Sequence, residues 1–503
     1  MQGRRRAVMT EQKGSSGIGY ILSICLVAAL GGILFGYDTA VISGAIDSIT
    51  TYFDLSATMK GWAVSSVVIG SILGALGAGY LANILGRRMT MMTAAALFLV
   101  SALGSALAPA FWFYIVLRLV GGVAVGIASV VSPMYMGELA PQHWRGRTLS
   151  MFQQSLVVGQ TIVFFVNYFI ARDVAQEWLN NYGWRWMLGS EAIPAVLFAV
   201  LLLLVPESPR WCIMHGQYDR ARRILARFTP QRDIEPMVEE VRHSLDEGNS
   251  SGRRAMNRQL RQEKRSSRSA LKKPVMMGIA LVGIFLSAAQ QLSGINVVMY
   301  YAPTVLSGVT DSTGSALLQT GYIGLIFIVG NLVGMYLIDR VGRVRLLTIG
   351  SLACIASMGV LGTVFWFDVQ GYTAMLAIMV YVTGYAISWG CCSWTLLSEI
   401  FPNSIRESGM ALAMGAQWTA GFIVAQTFPM MRGSEWLNDM FNGAFPFWLF
   451  GSITFISLLI VWRFVPETKG VPLESMETLM GEKFRQGRVQ DCSRYREGHA
   501  QTA

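Results

Sequence analysis

Two ionisable residues stand alone inside long apolar runs. Asp38 interrupts LFGYDTAVISG (34–44), with no other charge between residues 18 and 46, and Arg118 interrupts FWFYIVLRLVGGVAVG (111–126). In hydrocarbon each would cost about 2.5–3.5 kcal/mol on insertion scales, and more if unpaired. Pairing the two relieves both. A carboxylate beside a guanidinium is held in its charged form; moved away from it in a dry site, it takes up a proton. Two such arrangements in one protein would link proton binding to conformation. The other reading is a permanent ion pair that fixes the first helix against the fourth. Gly122 and Gly126 lie on the Arg118 face, so another helix is expected to approach closely there.

Carboxamides form the second set. Gln153, Gln160 and Asn167 are spaced by seven and share one helical face. The stretch AAQQLSGINVVMYYAP (288–303) carries Gln290, Gln291 and Asn296, which a straight helix would put on different faces. Gly294 between them and Pro303 after them allow a bend or unwinding that gathers the amides. Gln417 beside Trp418, and Trp394, come from two further helices. An amide both donates and accepts, as a hydroxyl does, and an indole covers the apolar face of a pyranose. Such a set suits a neutral sugar, and no cationic cluster for a phosphate or carboxylate substrate occurs in these stripes. Any one glutamine read alone is equally well interhelical glue; four helices with the same chemistry argue against that.

These side chains need a frame that works in lipid. The 503 residues are 53% hydrophobic and only 14% charged, against about a quarter charged in soluble chains. Apolar runs near 18–44, 62–85, 89–108, 111–136, 150–171, 187–205, 274–301, 315–338, 345–366, 372–396, 408–430 and 443–464 are long enough to cross about 30 Å of hydrocarbon. The expected fold is therefore an all-α membrane protein of twelve transmembrane helices. A net charge of +10 could suggest nucleic acid, but its placement argues otherwise. Arg4, Arg5, Arg6 and Lys13 precede the first run; Arg87 and Arg88 follow the second, Arg145 and Arg147 the fourth, and Arg340, Arg343 and Arg345 the eighth. The interlude 207–273 holds sixteen Lys/Arg against nine Asp/Glu. This positive-inside bias puts both termini and the interlude in the cytoplasm, with anionic lipid as a secondary contact. No cleavable signal peptide is evident. Four of the six cysteines lie in apolar runs, which suggests neither disulfides nor a metal site, and no cofactor is implied.

The chain repeats itself. GYLANILGRR (79–88) is echoed by GMYLIDRVGR (334–343), PMYMGELAPQHWRGR (133–147) by LLSEIFPNSIRES (396–408), and VPESPR (205–210) by VPETKG (465–470). Gly86 to Gly342 is 256 residues, Glu138 to Glu399 and Arg145 to Arg406 are each 261, and Pro206 to Pro466 is 260. A duplicated six-helix unit follows: a tail at 1–17, bundles at 18–206 and 274–465, a linker at 207–273 and a tail at 466–503. Within the linker, 217–247 suits short amphipathic helices and 248–273 a mobile tether; the tail beyond about 481 is expected to be disordered. The repeated charges Arg87, Glu138, Arg145, Glu207 and Arg210, with Arg343, Glu399, Arg406 and Glu467, read as cytoplasmic gating latches or else as topology anchors. Paired repeats commonly hold a substrate site at the midplane.

The combination of GYDTAVISG, RxxxGxxxG, PMYxxELAPxxxRG, PESPRW, QQxxGINxxxYYAP, SEIFPxxIR and VPETKG resembles the sugar porter family of the major facilitator superfamily, over about residues 18–480. The resemblance implies the major facilitator fold and alternating access. It implies Asp38 and Arg118 as the proton-coupling pair, and Gln160, Gln290, Gln291, Asn296, Trp394 and Gln417 as sugar contacts. Phe35, Tyr300, Gly390 and Trp418 match pocket-lining positions. Departures occur at QQLSGIN, which is closer to glucose-carrying members, at Phe327 where an asparagine is usual, at Ile84 where a basic residue is usual, and at Glu407 where glycine is usual. The expected function is proton-coupled symport of a monosaccharide, D-xylose first and D-glucose next, by a monomer in a bacterial inner membrane. A facilitative uniporter is the nearest alternative and a non-transporting sensor a further one. No nucleophile or catalytic dyad suggests an enzyme.

Overall fold

The structure, a computed structural model, describes residues 2–140, 145–227, 232, 234–240, 242, 274–307, 313–368, 372–402, 405–469, 471 and 475–486. Within them the regular backbone structure is all helix, with no strand. Lipid offers the peptide group no partner, so apolar runs of this length satisfy their N–H and C=O groups within the helix. The helices are α1 (Gln2–Phe53), α2 (Ala57–Leu85), α3 (Arg87–Ala106), α4 (Phe111–Leu139), α5 (Arg145–Ala171) and α6 (Gln176–Leu204). Then come α7 (Pro209–Met214), α8 (Tyr218–Leu225), α9 (Pro274–Leu292), α10 (Ile295–Ser307), α11 (Thr313–Val341) and α12 (Arg343–Trp366). The chain closes with α13 (Thr373–Ile400), α14 (Arg406–Arg432), α15 (Glu435–Phe441), α16 (Phe445–Phe464) and α17 (Met476–Gln486).

Eleven spans among the described residues are long and apolar enough to cross a membrane, with α9 and α10 together forming one of them. The remaining expected span, 408–430, falls on α14, a helix of 27 residues. The all-α membrane architecture read from the sequence is the one observed.

The chain forms two compact units, residues 1–39, 69–160 and 188–262, and residues 40–68, 161–187 and 263–503. Helices α1, α2, α5 and α6 contribute to both. In the first unit α3 packs along α4 and against the Ala192–Leu204 part of α6. Helices α1 and α5 cross closely at two glycines. A Cβ on Gly36 would run into the Leu156 carbonyl, and one on Gly159 into the Ile33 carbonyl. The expected close approach to Arg118's helix also occurs, where Gly126 faces the Ser71 carbonyl and Ala75 of α2. In the second unit α9 packs along α14, and α12 along α13 and α16.

Past α6 the first unit continues into the linker. Trp211, Cys212 and Ile213 of α7, Ala221, Ile224 and Leu225 of α8, and Ile234 and Val238 close a small apolar core. Of the 217–247 stretch expected to form short amphipathic helices, α8 and residues 234–240 are helical; the tether at 248–273 lies outside the described residues. Of the tail expected to be disordered beyond about 481, residues 482–486 instead continue α17; the rest lies outside the described residues. Met476, Leu479 and Met480 of α17 are fully buried, and the Phe484 ring meets that of Phe464 at 6.0 Å. An apolar stripe on a short polar helix suffices to dock it.

Candidate functional site

The Gly36–Gly159 crossing holds the Ile33–Asp38 stretch of α1 deep in the first unit. Asp38 and Arg118 are 0% and 1% exposed, and Arg118 Nη1 lies 2.7 Å from Asp38 Oδ1. Arg118 Nη2 donates also to the Asp38 carbonyl at 3.1 Å. The expected pair is therefore formed. A third ionisable side chain is buried beside it: Glu191, 1% exposed, interacts electrostatically with both Asp38 and Arg118. Glu191 sits where α6 breaks between Gly189 and Ala192. Sequence reading passed over it, although it is a lone charge within the run 187–205, the same signal that marked Asp38. Beside the cluster, Tyr37 and Ser190 share a hydrogen bond of 2.8 Å between their hydroxyls.

Two carboxyls and one guanidinium in a dry site are neutral only with one proton present. Asp38 Oδ2 and Glu191 Oε1 have no hydrogen-bond partner among the described residues, so the cluster has acceptor capacity to receive it.

The helix-five stripe divides. Gln160 belongs to the first unit, is 8% exposed, and keeps Oε1 without a partner among the described residues. Asn167 belongs to the second unit, where its Nδ2 donates to the Val41 carbonyl at 3.2 Å. Asn167 thus fastens α5 to α1. Phe35, on the turn before Asp38, is half-buried.

In the second unit the seventh apolar run breaks at Ser293–Gly294, and α10 restarts at Ile295. Gly294 has φ 96°, a region that L side chains rarely adopt. This is the unwinding expected from the sequence, and it gathers the amides. A Cβ on Gly421 of α14 would lie 3.1 Å from Asn296 Nδ2 and 3.8 Å from Gln291 Oε1, so both amides reach the same point on that helix. Gln290, 4% exposed, donates to the Trp389 carbonyl at 3.0 Å and accepts from Gln417 Nε2 at 2.8 Å. The carbonyl it uses lies in a π-helical turn of α13, Ala386–Gly390, which includes Gly390. Trp389 itself was not singled out in the sequence; its indole donates to Ser351 Oγ at 3.0 Å. Trp394 and Trp418 are half-buried and Tyr300 buried. Phe327 lies against Tyr385, ring centroids 6.3 Å apart.

The repeated charges form two matching clusters, one per unit. In the first, Arg87 Nη2 contacts Glu138 Oε1 at 2.8 Å, and Ser208 Oγ donates to the other Glu138 oxygen. Glu207 accepts from the backbone N–H groups of Arg87, Arg88 and Ser208. In the second, Arg343 Nη2 contacts Glu399 Oε1 at 3.0 Å, Thr468 Oγ1 donates to Glu399, and Glu467 accepts from the N–H groups of Arg343, Val344 and Lys469. Glu207 and Glu467 thus cap the N-termini of α3 and α12, where a carboxylate satisfies orphan donors and complements the helix dipole. Gly86 and Gly342, φ 92° and 102°, precede those helices, and each lies so close to its glutamate that a Cβ would meet the carboxylate.

Two of the repeated arginines, Arg406 and Arg210, do not join these clusters among the described residues. Arg406 Nε donates to the Phe401 carbonyl at 3.2 Å instead. Arg210 is exposed and forms no ion pair among the described residues. The Arg145 side chain lies outside the described residues. A further polar set, not expected from the sequence, occurs in the second unit. Lys60 contacts Asp47 at 2.6 Å, Thr304 donates to Asp47 at 2.8 Å, and Ser65 donates to Gln426 at 2.8 Å.

Among the described residues, no group of three or more His, Cys, Asp or Glu side chains is placed to hold a metal ion.

Known proteins are similar to this chain over nearly its whole length. The chain is 41% identical over 498 residues to the D-xylose-proton symporter of Escherichia coli (strain K12), covering 94% of this chain and 97% of that one. It is 33% identical over 479 residues to the glucose facilitated diffusion protein of Zymomonas mobilis, covering 92% and 98%. A solved structure of the xylose transporter from E. coli in its inward open conformation superposes with a TM-score of 0.78 at 40% identity, over 92% of this chain and all of that one. Residues 24–480 match the family model described as Sugar (and other) transporter, and the chain belongs to that family.

Proposed function

We propose that this protein is a proton-coupled symporter of a neutral monosaccharide, D-xylose first and D-glucose next, working by alternating access in a bacterial inner membrane. The observation that carries the reading is the fully buried Asp38–Arg118 pair with Glu191 beside it, in a chain so similar to a D-xylose-proton symporter. With Glu191 beside the pair, one proton changes the cluster from net negative to neutral, which favours proton uptake in a dry site. Asp38 carries the proton, Arg118 holds the carboxylate when it is charged, and Glu191 sets the charge balance.

Gln160, Gln290, Gln291, Asn296, Trp394 and Gln417 contact the sugar, with Phe35, Tyr300, Gly390 and Trp418 lining the site. The Gln290–Gln417 bond fixes the orientation of one amide, so that its neighbours Gln291 and Asn296 present donors and acceptors in set directions. Proton and sugar then bias the same conformational equilibrium and assist each other's binding reciprocally. The bundles are 18–206 and 274–465, with both termini in the cytoplasm, as the positive-inside bias supports. The clusters around Arg87 and Arg343 stiffen the cytoplasmic ends of the helices that must move as blocks. The bilayer and the two substrates are the partners this function requires, and a monomer contains every group named.

The test is counterflow in proteoliposomes with a panel of pentoses and hexoses, repeated with and without an imposed pH gradient. Xylose uptake above the equilibrium level, abolished by a protonophore, is the expected result. Sugar equilibration that is insensitive to the gradient would instead establish a uniporter in which Asp38 is structural.

A further inference from the structure

Four arginines that the transport reading leaves unused surround one cavity. Arg88, Arg220, Arg223 and Arg227 line a space of about 350 Å³, together with Leu203, Leu204, Val205, Pro206, Glu207 and Ile224. The local fold gathers them. Arg220, Arg223 and Arg227 follow an i, i+3, i+7 spacing, so they share one face of α8 and the turn after it. The adjoining face, Ala221, Ile224 and Leu225, is held in the linker core with Trp211 and Cys212. Arg88 enters from the first turn of α3 and is fixed by donating to the Leu202 and Leu203 carbonyls at 2.8 and 3.0 Å.

The one carboxylate in the lining is already committed, since Glu207 accepts from three backbone N–H groups at the start of α3 and α7. Among the described residues no ion pair neutralises any of the four arginines. Their contacts are to neutral oxygens: Gln217 for Arg220, the Asp219 carbonyl for Arg223, and the Tyr20 hydroxyl for Arg227. Arg222, on the other side of α8, does find carboxylates, Asp219 and Glu235.

We propose that this cavity binds a phosphate group. Guanidinium forks match phosphate oxygens with paired N–H donors, and the space is large enough for a substituted phosphate. The apolar part of the lining points to its source. Leu203 and Leu204, 61% and 73% exposed, form the end of a membrane-spanning helix where acyl chains would lie, so the phosphate of an anionic phospholipid headgroup fits. A soluble phosphate shares the same chemistry. Bound there, the phosphate ties α8 to the ends of α3 and α6.

The test uses the full chain purified in uncharged detergent and titrated calorimetrically with dioctanoyl phosphatidylglycerol, and separately with inorganic phosphate. Arg223→Gln is expected to weaken binding of the lipid about fivefold, as one surface arginine contributes. R220Q/R223Q/R227Q is expected to weaken it about a hundredfold, whereas Arg222→Gln leaves it unchanged. Displacement of the lipid by inorganic phosphate identifies a soluble phosphate as the natural occupant; retention of the lipid identifies the headgroup. Equal affinity in wild type and Arg223→Gln, or an equal loss in Arg222→Gln, would overturn the proposal. Should the triple variant fail to fold, the two single variants still decide.

Discussion

Arg118 holds Asp38 twice, through its carboxylate at 2.7 Å and through its main-chain carbonyl at 3.1 Å. The second bond survives protonation of the carboxyl. The guanidinium can therefore stay docked on α1 while the ionic bond is broken.

Asp38→Asn keeps the shape and the backbone bond but removes the titrating group. The expected outcome is loss of uphill sugar accumulation with counterflow retained, measured in the same proteoliposomes. Undiminished accumulation would show that the carboxylate never cycles. Arg118→Ala is expected to cost about 3–5 kcal/mol of stability, because it leaves buried carboxylates unpaired; thermal unfolding in detergent reads this directly.

Gln290 is held by Trp389 and Gln417, so replacing it with alanine leaves a buried carbonyl and an amide without a partner. That costs about 1–3 kcal/mol. The apparent affinity for sugar in counterflow should fall by roughly tenfold or more, with protein still present in the membrane at wild-type level.

Gly294→Ala probes the break between α9 and α10. A side chain at φ 96° is strained by about 1–3 kcal/mol, and its Cβ would press on the Phe450 ring at 2.9 Å. If the break gathers Gln291 and Asn296, sugar binding falls together with the melting temperature. Unchanged binding in a destabilised protein would separate the break from the site.

Gly86→Ala and Gly342→Ala should act alike, since each Cβ would displace the glutamate that caps the next helix. Strain and the lost cap together are expected to cost about 2–4 kcal/mol in each case. A large effect at one position and none at the other would argue against equivalent clusters.

Cys212 lies in the linker core, where burial pushes its thiol above the ordinary value of 9.0, with Arg220 opposing the shift and Glu207 adding to it. The stability this contributes is complete below the unfolded thiol range and is lost as pH rises through the folded value. Maleimide labelling of Cys212, with Cys492 replaced by serine, is expected to be slow at neutral pH and to accelerate once the linker loosens under alkaline conditions. Rapid labelling at neutral pH would refute burial.

The sequence alone determined the solvent, and with it the architecture. Hydrocarbon permits few spanning structures, so apolar runs of fixed length leave only a helical bundle. The same scarcity made Asp38 and Arg118 conspicuous, and the duplicated motifs already matched Arg87–Glu138 with Arg343–Glu399. The twist in the seventh run was legible too, because Gly294 is the residue on which such a break depends.

Partner choice was decided by tertiary structure. Glu191 stood in its apolar run as plainly as Asp38, yet only the break in α6 turns it toward the ion pair. Asn167 shared a helical period with Gln160 but is spent on the Val41 carbonyl. Arg406 repeated the spacing of Arg145 but bonds to the backbone of Phe401. Helical spacing fixes the face from which a side chain leaves its helix; what it meets depends on how neighbouring helices cross, and those crossings are set by glycines and bulky residues far apart in the chain.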